Sequence, residues 1–116
     1  KMMNNKSPFY FCDRQFYKVM AYIELFLNLN YIEIEMEEWM MVEQALKTIS
    51  MLPDDSRNAD SFYTSLDDSV SFKNAIYDLT KDGKYALFED NREIVIKDMD
   101  EVMVSLFDYY GNFINQ

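Results

Sequence analysis

The apolar residues between Phe16 and Leu29 place the strongest constraint on the fold of this chain. They recur at helical spacing on two adjacent stripes, which consist of Phe16, Met20, Ile23 and Leu27 and of Val19, Tyr22, Phe26 and Leu29. A helix that is apolar over this much of its surface is central to a core or contacts a partner. We expect Asp13 to cap this helix and residues 28–30 to end it.

The next segment, residues 31–36, alternates between apolar and acidic side chains. Its sequence places Ile32 and Ile34 on one side and Glu33 and Glu35 on the other. A period of two is typical of a strand with one solvated face. The alternative is a bridge within one long helix, which the glutamates and the methionine favour and the neighbouring asparagines oppose.

Four further segments follow before residue 84. Residues 38–52 return to helical spacing, with acidic residues in the first turn and a proline beyond the end. Residues 53–61 are predicted as a polar loop, and residues 62–66 as a short extended or 3₁₀ piece. Residues 69–81 are predicted as another helix, which a glycine terminates.

The C-terminal part of the sequence predicts a β-hairpin and a helix. Residues 84–88 and 93–97 are strand-like, and the turn between them contains Asp90 and Asn91. These two residue types tolerate the left-handed geometry of tight turns. A capping-box pattern that begins at Asp98 starts the last predicted helix.

Together these segments predict an α+β fold. About four helices would cover a small, mostly antiparallel sheet of about three strands, which includes the C-terminal hairpin. The 116 residues are enough for a single domain over residues 1–116. We expect residues 1–8 to form a flexible arm.

The chain contains no histidine, one cysteine and two glycines. This composition excludes a His-based catalytic triad, a Cys-rich zinc site and a glycine-rich phosphate loop. The aspartates of residues 54–68 lack the spacing and the glycine turn of a calcium loop. The carboxylates around the hairpin and the last helix have no set of substrate-positioning residues beside them. We therefore expect no catalysis, no metal and no cofactor.

The formal net charge of −10 arises from 21 acidic and 11 basic residues. Such a chain is a poor direct binder of nucleic acid, because phosphate contacts need lysine and arginine. The longest apolar-rich stretch, residues 19–29, is too short and too polar to span a bilayer. We find no secretory signal and expect the single cysteine, Cys12, to be structural, so we expect a cytoplasmic protein.

Acidic residues concentrate at two candidate contact surfaces. The first is the predicted strand and the residues after it, with Glu33, Glu35, Glu37 and Glu38. The second is the polar loop, with Asp54, Asp55 and Asp60. Opposite charge would attract and select a basic protein as the partner. The alternatives are a solvated strand face, loop solvation and helix capping.

Nine tyrosines, nine phenylalanines, one tryptophan and nine methionines are more than a domain of this size can bury completely. Aromatic residues and methionine are enriched at protein interfaces. We expect some of them to contact a protein partner, or a second copy of the chain if the protein is a small oligomerising adaptor domain. Stacking on single-stranded nucleic acid would need a cationic groove.

The C-terminal segment also carries a family resemblance. Residues 84–97, Lys-Tyr-Ala-Leu-Phe-Glu-Asp-Asn-Arg-Glu-Ile-Val-Ile-Lys, are followed by Asp-Met-Asp-Glu-Val and an aromatic-tipped helix. This arrangement resembles the end of small acidic bacterial immunity proteins, including those of contact-dependent growth inhibition and polymorphic toxin systems. The resemblance implies a cytoplasmic protein that binds one cognate toxin, typically a nuclease, and occludes its active site. The same acidity would suit a phage-encoded inhibitor of a nucleic-acid-handling defence system, such as an anti-CRISPR protein or a nucleic-acid mimic.

Overall fold

The structure is a computed structural model, and it describes residues 8–83. The α-helices in this part of the chain are α1 (Phe16–Leu29), α2 (Met36–Ser50), α3 (Ala59–Ser65) and α4 (Lys73–Tyr77). A 3₁₀ helix at Pro8–Asp13 precedes α1, and a second one at Asp54–Ser56 follows α2. These helices enclose a cluster of buried apolar side chains.

No strand is present in residues 8–83, so the predicted α+β fold is wrong for this part of the chain. Where the strand is predicted, at residues 31–36, the chain turns at Tyr31, continues without regular structure and then enters α2. Ile32 and Ile34 are half-buried, and the glutamates beside them are exposed. The alternation therefore reflects alternating burial along a connection that has no neighbouring strand.

A hydrogen-bonded motif ends α1 and prevents a longer helix. The backbone N–H of Ile32 donates to the carbonyl of Leu27 at 2.9 Å, and the N–H of Tyr31 donates to that of Asn28 at 2.9 Å. Tyr31 has a positive φ of 61°. These bonds and this backbone conformation define a Schellman motif. The alternative of one long helix is therefore wrong as well, whereas the predicted end at the asparagines is confirmed.

The apolar face of α1 is buried in the core. The residues that the structure encloses come from both predicted stripes and are Val19, Tyr22, Ile23, Phe26 and Leu27. The helix packs on the N-terminal 3₁₀ helix and on α2. The sequence predicts that this helix either lies at the centre of a core or contacts a partner, and the structure places it at the centre of the core.

The N-terminal 3₁₀ helix inserts an aromatic side chain into the core. Phe9 stacks on Phe62 of α3 with the ring centroids 5.0 Å apart. It also meets Tyr22 of α1 edge-on, with the centroids 5.9 Å apart. Pro8, at the end of the predicted arm, is buried as well, and residues 1–7 lie outside the described residues.

Arg57 joins the N-terminal 3₁₀ helix to the segment after α2, and only 8 % of its surface is exposed. Its Nη1 lies 3.0 Å from Oδ1 of Asp13 and 3.6 Å from Oδ1 of Asp54. Nη1 also donates to the carbonyl of Tyr10 at 3.2 Å, and Nε donates to the carbonyl of Leu52 at 3.0 Å. The sequence predicts Asp13 as the cap of α1, but its carboxylate pairs with Arg57 and no side chain caps this helix.

The second helix, α2, begins at Met36, before the predicted start at residue 38. The carbonyl of Glu35 accepts the N–H groups of Glu38 and Trp39 at 3.0 and 3.1 Å, which begins the helical hydrogen bonding earlier. The predicted acidic first turn is confirmed, and the helix dipole stabilises negative charge there. The buried side of α2 consists of Val42, Ala45, Leu46 and Ile49.

The sequence predicts the two short helices less well. The piece predicted as extended or 3₁₀ belongs to α3, because Asn58 and Ser61 form a capping box with bonds of 2.9 and 3.0 Å. Of the helix predicted over residues 69–81, only Lys73–Tyr77 is helical. Oδ1 of Asp67 accepts the backbone N–H of Ser69 at 2.8 Å. This bond holds the residues before α4 in a turn.

Several predictions concern the C-terminal part of the chain. The hairpin at residues 84–97, the capping pattern at Asp98 and the last helix lie outside the described residues, as does the segment that resembles immunity proteins. The single domain over residues 1–116 stays a prediction. Within the described part, no helix is long and apolar enough to cross a membrane.

Cys12 is buried in the N-terminal 3₁₀ helix, as predicted. Burial raises the pKa of its thiol from 9.0 to about 11. Because the thiolate is the reactive form, we expect alkylation of the native protein at about pH 8 to be at least about 100-fold slower than alkylation of the unfolded chain. Mass spectrometry after iodoacetamide treatment measures both rates. Rapid labelling of the native protein would contradict the buried position.

The raised pKa of the Cys12 thiol also predicts how the free energy of unfolding changes with pH. The pKa of Cys12 is higher in the folded chain, so the unfolded chain loses the proton first as the pH rises. This contribution to stability is therefore intact below about pH 9 and declines between about pH 9 and about pH 11. Chemical denaturation of the wild type and of Cys12→Ser across this range tests the sign. An equal decline in both proteins would show that other groups cause it.

Candidate functional site

An open cleft lies between the last turns of α1 and the first turns of α2. Its volume is about 300 Å³. The lining residues come from both helices and from the connection between them, and they are Glu24, Leu27, Asn28, Ile32, Glu33, Ile34 and Trp39. Apolar side chains, two carboxylates and an amide therefore meet in one concave surface, and the exposed part of its lining is mostly polar.

The Schellman motif at the end of α1 forms one side of the cleft. Its bond of 2.9 Å between the Ile32 N–H and the Leu27 carbonyl holds two lining residues next to each other. In such motifs the side chains at these two positions commonly make an apolar contact. Ile34 extends the apolar surface along the connection, and it is half-buried like Ile32.

Trp39 forms the opposite side of the cleft. The early start of α2 places this residue in the first turns of the helix, where its side chain is half-buried against the core. It is the only tryptophan in the chain. Its fluorescence therefore reports directly on what enters the cleft.

The cleft carries negative charge that no other residue within the described range 8–83 neutralises. Glu24 and Glu33 are both exposed, and neither forms an ion pair with another residue of the described part. No lysine or arginine occurs between Lys18 and Lys47. A cation could therefore bind here, whereas an anion would be repelled.

Three of the predicted contact residues extend this negative surface onto the start of α2. Glu33, Glu35 and Glu37, which we call the acidic edge, are exposed. Their side chains make no hydrogen bond or ion pair with other residues in the described range. The structure therefore brings these three predicted residues together, and Glu33 belongs to both the acidic edge and the cleft.

Glu38 has a structural role instead. Its Oε2 accepts the backbone N–H of Ser71 at 2.7 Å. This hydrogen bond holds the pKa of the Glu38 carboxyl below its usual range. The bond connects the start of α2 to the turn before α4, so we do not group Glu38 with the acidic edge.

The three aspartates predicted as contact residues have different surroundings. Asp54 pairs with Arg57, and Oδ2 of Asp60 accepts the backbone N–H of Lys81 at 3.1 Å. Asp55 is exposed in the second 3₁₀ helix. Asp54 and Asp55 follow the C-terminus of α2, about 20 Å of helix away from the acidic edge at its N-terminus. They do not share a surface patch with it.

The sequence analysis missed the cleft itself. Trp39 lies within the helical spacing of residues 38–52, and Glu24 lies within the apolar-rich stretch of residues 19–29, so neither residue was expected to line a cleft. The available signal was a lone tryptophan directly after a run of glutamates. The proximity of Trp39 to Glu24 depends on how α1 packs on α2. This packing cannot be inferred from helical periodicity.

Tyr31 occupies a left-handed backbone position that favours glycine. Its side chain is 90 % exposed. We expect Tyr31→Gly to raise the free energy of unfolding by about 0.5 kcal/mol, because relief of backbone strain outweighs the added entropy of the unfolded chain. Urea denaturation followed by Trp39 fluorescence measures the change. The control Tyr31→Ala keeps the Cβ and should give no gain. A less stable glycine variant would contradict the assigned backbone conformation.

Two further findings bear on the function of the chain. Within residues 8–83, no group of three or more histidine, cysteine, aspartate or glutamate side chains is arranged to hold a metal ion. No protein-family model, curated protein or solved structure matches the chain. The geometry of the cleft and of the acidic edge is therefore the basis for the function proposed below.

Proposed function

We propose that this chain is a non-catalytic acidic protein that binds a basic protein partner and inhibits it. The observation that carries the proposal is the acidic edge, whose three carboxylates are exposed and have no partner in the described part of the chain. The resemblance of the C-terminal segment makes the proposal more specific. In that form, the chain is an immunity protein that neutralises a nuclease-type toxin by covering its active site.

Electrostatic repulsion within the acidic edge supports a charged partner. Its three carboxylates lie within residues 33–37, and no basic residue occurs nearby in the sequence. They repel one another and disfavour the isolated fold. A basic surface that covers them would remove this repulsion and accelerate association. A nuclease presents such a surface where it binds phosphates, so the same contact would block its substrate.

Exposed apolar side chains beside the acidic edge support a protein as the partner. Tyr31 precedes the edge, and Met36 and Met40 lie one helical turn apart on α2. The two methionines are 78 % and 63 % exposed. Aromatic residues and methionine are enriched in the centres of protein interfaces, where charged residues are depleted. A partner that covered both groups would bury the apolar side chains and contact the carboxylates around them.

The test is capture of a partner at low ionic strength by the immobilised full chain. Three immobilised chains would be incubated with lysate of the native source. They are the wild type, Glu35→Gln/Glu37→Gln and the control Asp68→Asn/Asp82→Asn. Both variants remove two negative charges from exposed positions, but only the first changes the acidic edge. We expect the wild type and the control to retain a basic protein, and the glutamine variant to retain at least about tenfold less of it.

Inhibition is then measured with the purified partner. Its activity should fall when the wild-type chain is added and should recover with the glutamine variant. All four substitutions are at exposed positions, and Asp68→Asn keeps an oxygen that can accept the hydrogen bond from Lys73, so circular dichroism should show unchanged helix content. Equal retention by all three chains would contradict the role of the acidic edge. A bound partner whose activity does not change would contradict inhibition.

A further inference from the structure

The cleft between α1 and α2 borders the acidic edge through Glu33, which belongs to both. We propose that this cleft receives an arginine side chain of the basic partner, an inference that rests on the proposed function. An arginine combines an aliphatic stem with a planar cationic end. The lining of the cleft offers a complementary surface to each part.

The apolar side of the cleft complements the aliphatic stem. Leu27 is buried, and Ile32 and Ile34 are half-buried, so they form a small apolar wall within a cleft whose exposed lining is mostly polar. The methylene groups of a long cationic side chain pack well on such a wall while the charged end stays near solvent. The open shape of the cleft allows the side chain to enter from the surface.

The remaining lining residues complement the guanidinium. Trp39 offers an indole, the aromatic ring that binds cations most strongly. Glu24 and Glu33 offer carboxylate oxygens, and the side-chain carbonyl of Asn28 offers another acceptor. A guanidinium has five N–H donors in a rigid plane, so it can stack on the indole and donate to the carboxylates at the same time.

Other occupants fit this lining less well. A lysine ammonium is more strongly hydrated and has no plane to stack on the indole. Among residues 8–83, the lining offers a metal ion two carboxylates and no third acidic, histidine or cysteine ligand. An anion would meet two negative charges and no basic residue in the part of the lining that the structure describes. Arginine is therefore the side chain that the cleft selects.

The test uses the fluorescence of Trp39, the only tryptophan in the chain. The full chain would be titrated with N-acetyl-arginine amide, with the lysine compound, and with the citrulline compound as the uncharged isostere. We expect a saturable fluorescence change with the arginine compound, at least about fivefold weaker affinity for the lysine compound and no saturation with the citrulline compound. Equal responses to all three would overturn the proposal.

Variants test the two carboxylates of the cleft. Glu24→Gln and Glu33→Gln should each weaken the affinity for the arginine compound about fivefold, because each removes one exposed charge pair. Asp82→Asn, which lies after α4, should leave the affinity unchanged. Glu24 and Glu33 are exposed, so these variants are expected to fold. Unchanged affinity in both glutamine variants would overturn the assigned site.

The outcomes separate this proposal from the proposed function. A basic partner that is captured through Glu35 and Glu37, together with no binding of the arginine compound, overturns the arginine site alone. Binding of the arginine compound without any captured basic partner overturns the proposed function alone. Loss of partner binding in Glu24→Gln, which lies outside the acidic edge, would support the arginine site within the complex.

Discussion

Truncation of Phe9 to alanine should lower the free energy of unfolding by about 3–5 kcal/mol. Phe9 is fully buried, and it contacts the rings of Phe62 and Tyr22. Its removal would leave a cavity between the N-terminal 3₁₀ helix, α1 and α3, which the surrounding side chains can fill only in part. Urea denaturation followed by Trp39 fluorescence and by circular dichroism measures the loss.

An exposed aromatic residue provides the control for Phe9. Tyr17, on α1, is 77 % exposed. We expect Tyr17→Ala to change the free energy of unfolding by less than about 0.5 kcal/mol. If the two variants had the same stability, the N-terminal 3₁₀ helix would not be part of the core.

Replacement of Arg57 by alanine should lower the free energy of unfolding by about 3 kcal/mol. The buried guanidinium pairs with Asp13 and Asp54 and donates to the carbonyls of Tyr10 and Leu52. Without it, two carbonyls lose their donor, and the N-terminal 3₁₀ helix loses the hydrogen bond and the ion pair that join it to the segment after α2. Denaturation in urea gives the change directly.

Arg14 is a matched control, because it contacts two of the same residues from the surface. Its Nε lies 3.5 Å from Oδ1 of Asp13, and its guanidinium carbon lies 4.9 Å from the ring centre of Tyr10. The side chain is half-exposed, so solvent screens the pair and we expect Arg14→Ala to cost less than about 1 kcal/mol. An equal cost for both arginines would show that burial does not distinguish them.

The two long helices could be predicted from the sequence because apolar periodicity reports directly on a buried face. The strand at residues 31–36 could not be excluded in the same way. Alternating burial occurs both in a strand and in a connection that crosses the edge of a core. Only the presence of a neighbouring strand distinguishes the two. The turn at Tyr31 could not be predicted from the sequence, because the left-handed position usually carries glycine or asparagine rather than tyrosine.

The candidate site was predictable only in part, for a related reason. The glutamates of the acidic edge lie within residues 33–37, so they stand out as a group in the sequence. The roles of Glu38 and Asp60 depend on backbone N–H groups that are distant in sequence, at Ser71 and Lys81. The cleft depends on the packing of α1 on α2. Patterns along the chain describe faces of single helices, and contacts between helices require the fold.

The end of α1 links the local sequence to the proposed function. The Schellman motif turns the chain, leaves the side chain of Tyr31 exposed and places Ile32 in the cleft. The connection then presents Glu33 and Glu35 to solvent before α2 begins. The same few residues therefore end a core helix and form the surface that we propose as the contact.

The salt dependence of the complex with the purified basic partner tests the role of the acidic edge most directly. Between about 50 and about 500 mM salt, the affinity of the wild type should fall at least about tenfold, because salt screens exposed charge pairs. The affinity of Glu35→Gln/Glu37→Gln should be lower at low salt and should fall less, since fewer charge pairs remain to be screened. An affinity that salt does not change, or an equal decrease in both proteins, would contradict recognition through the acidic edge.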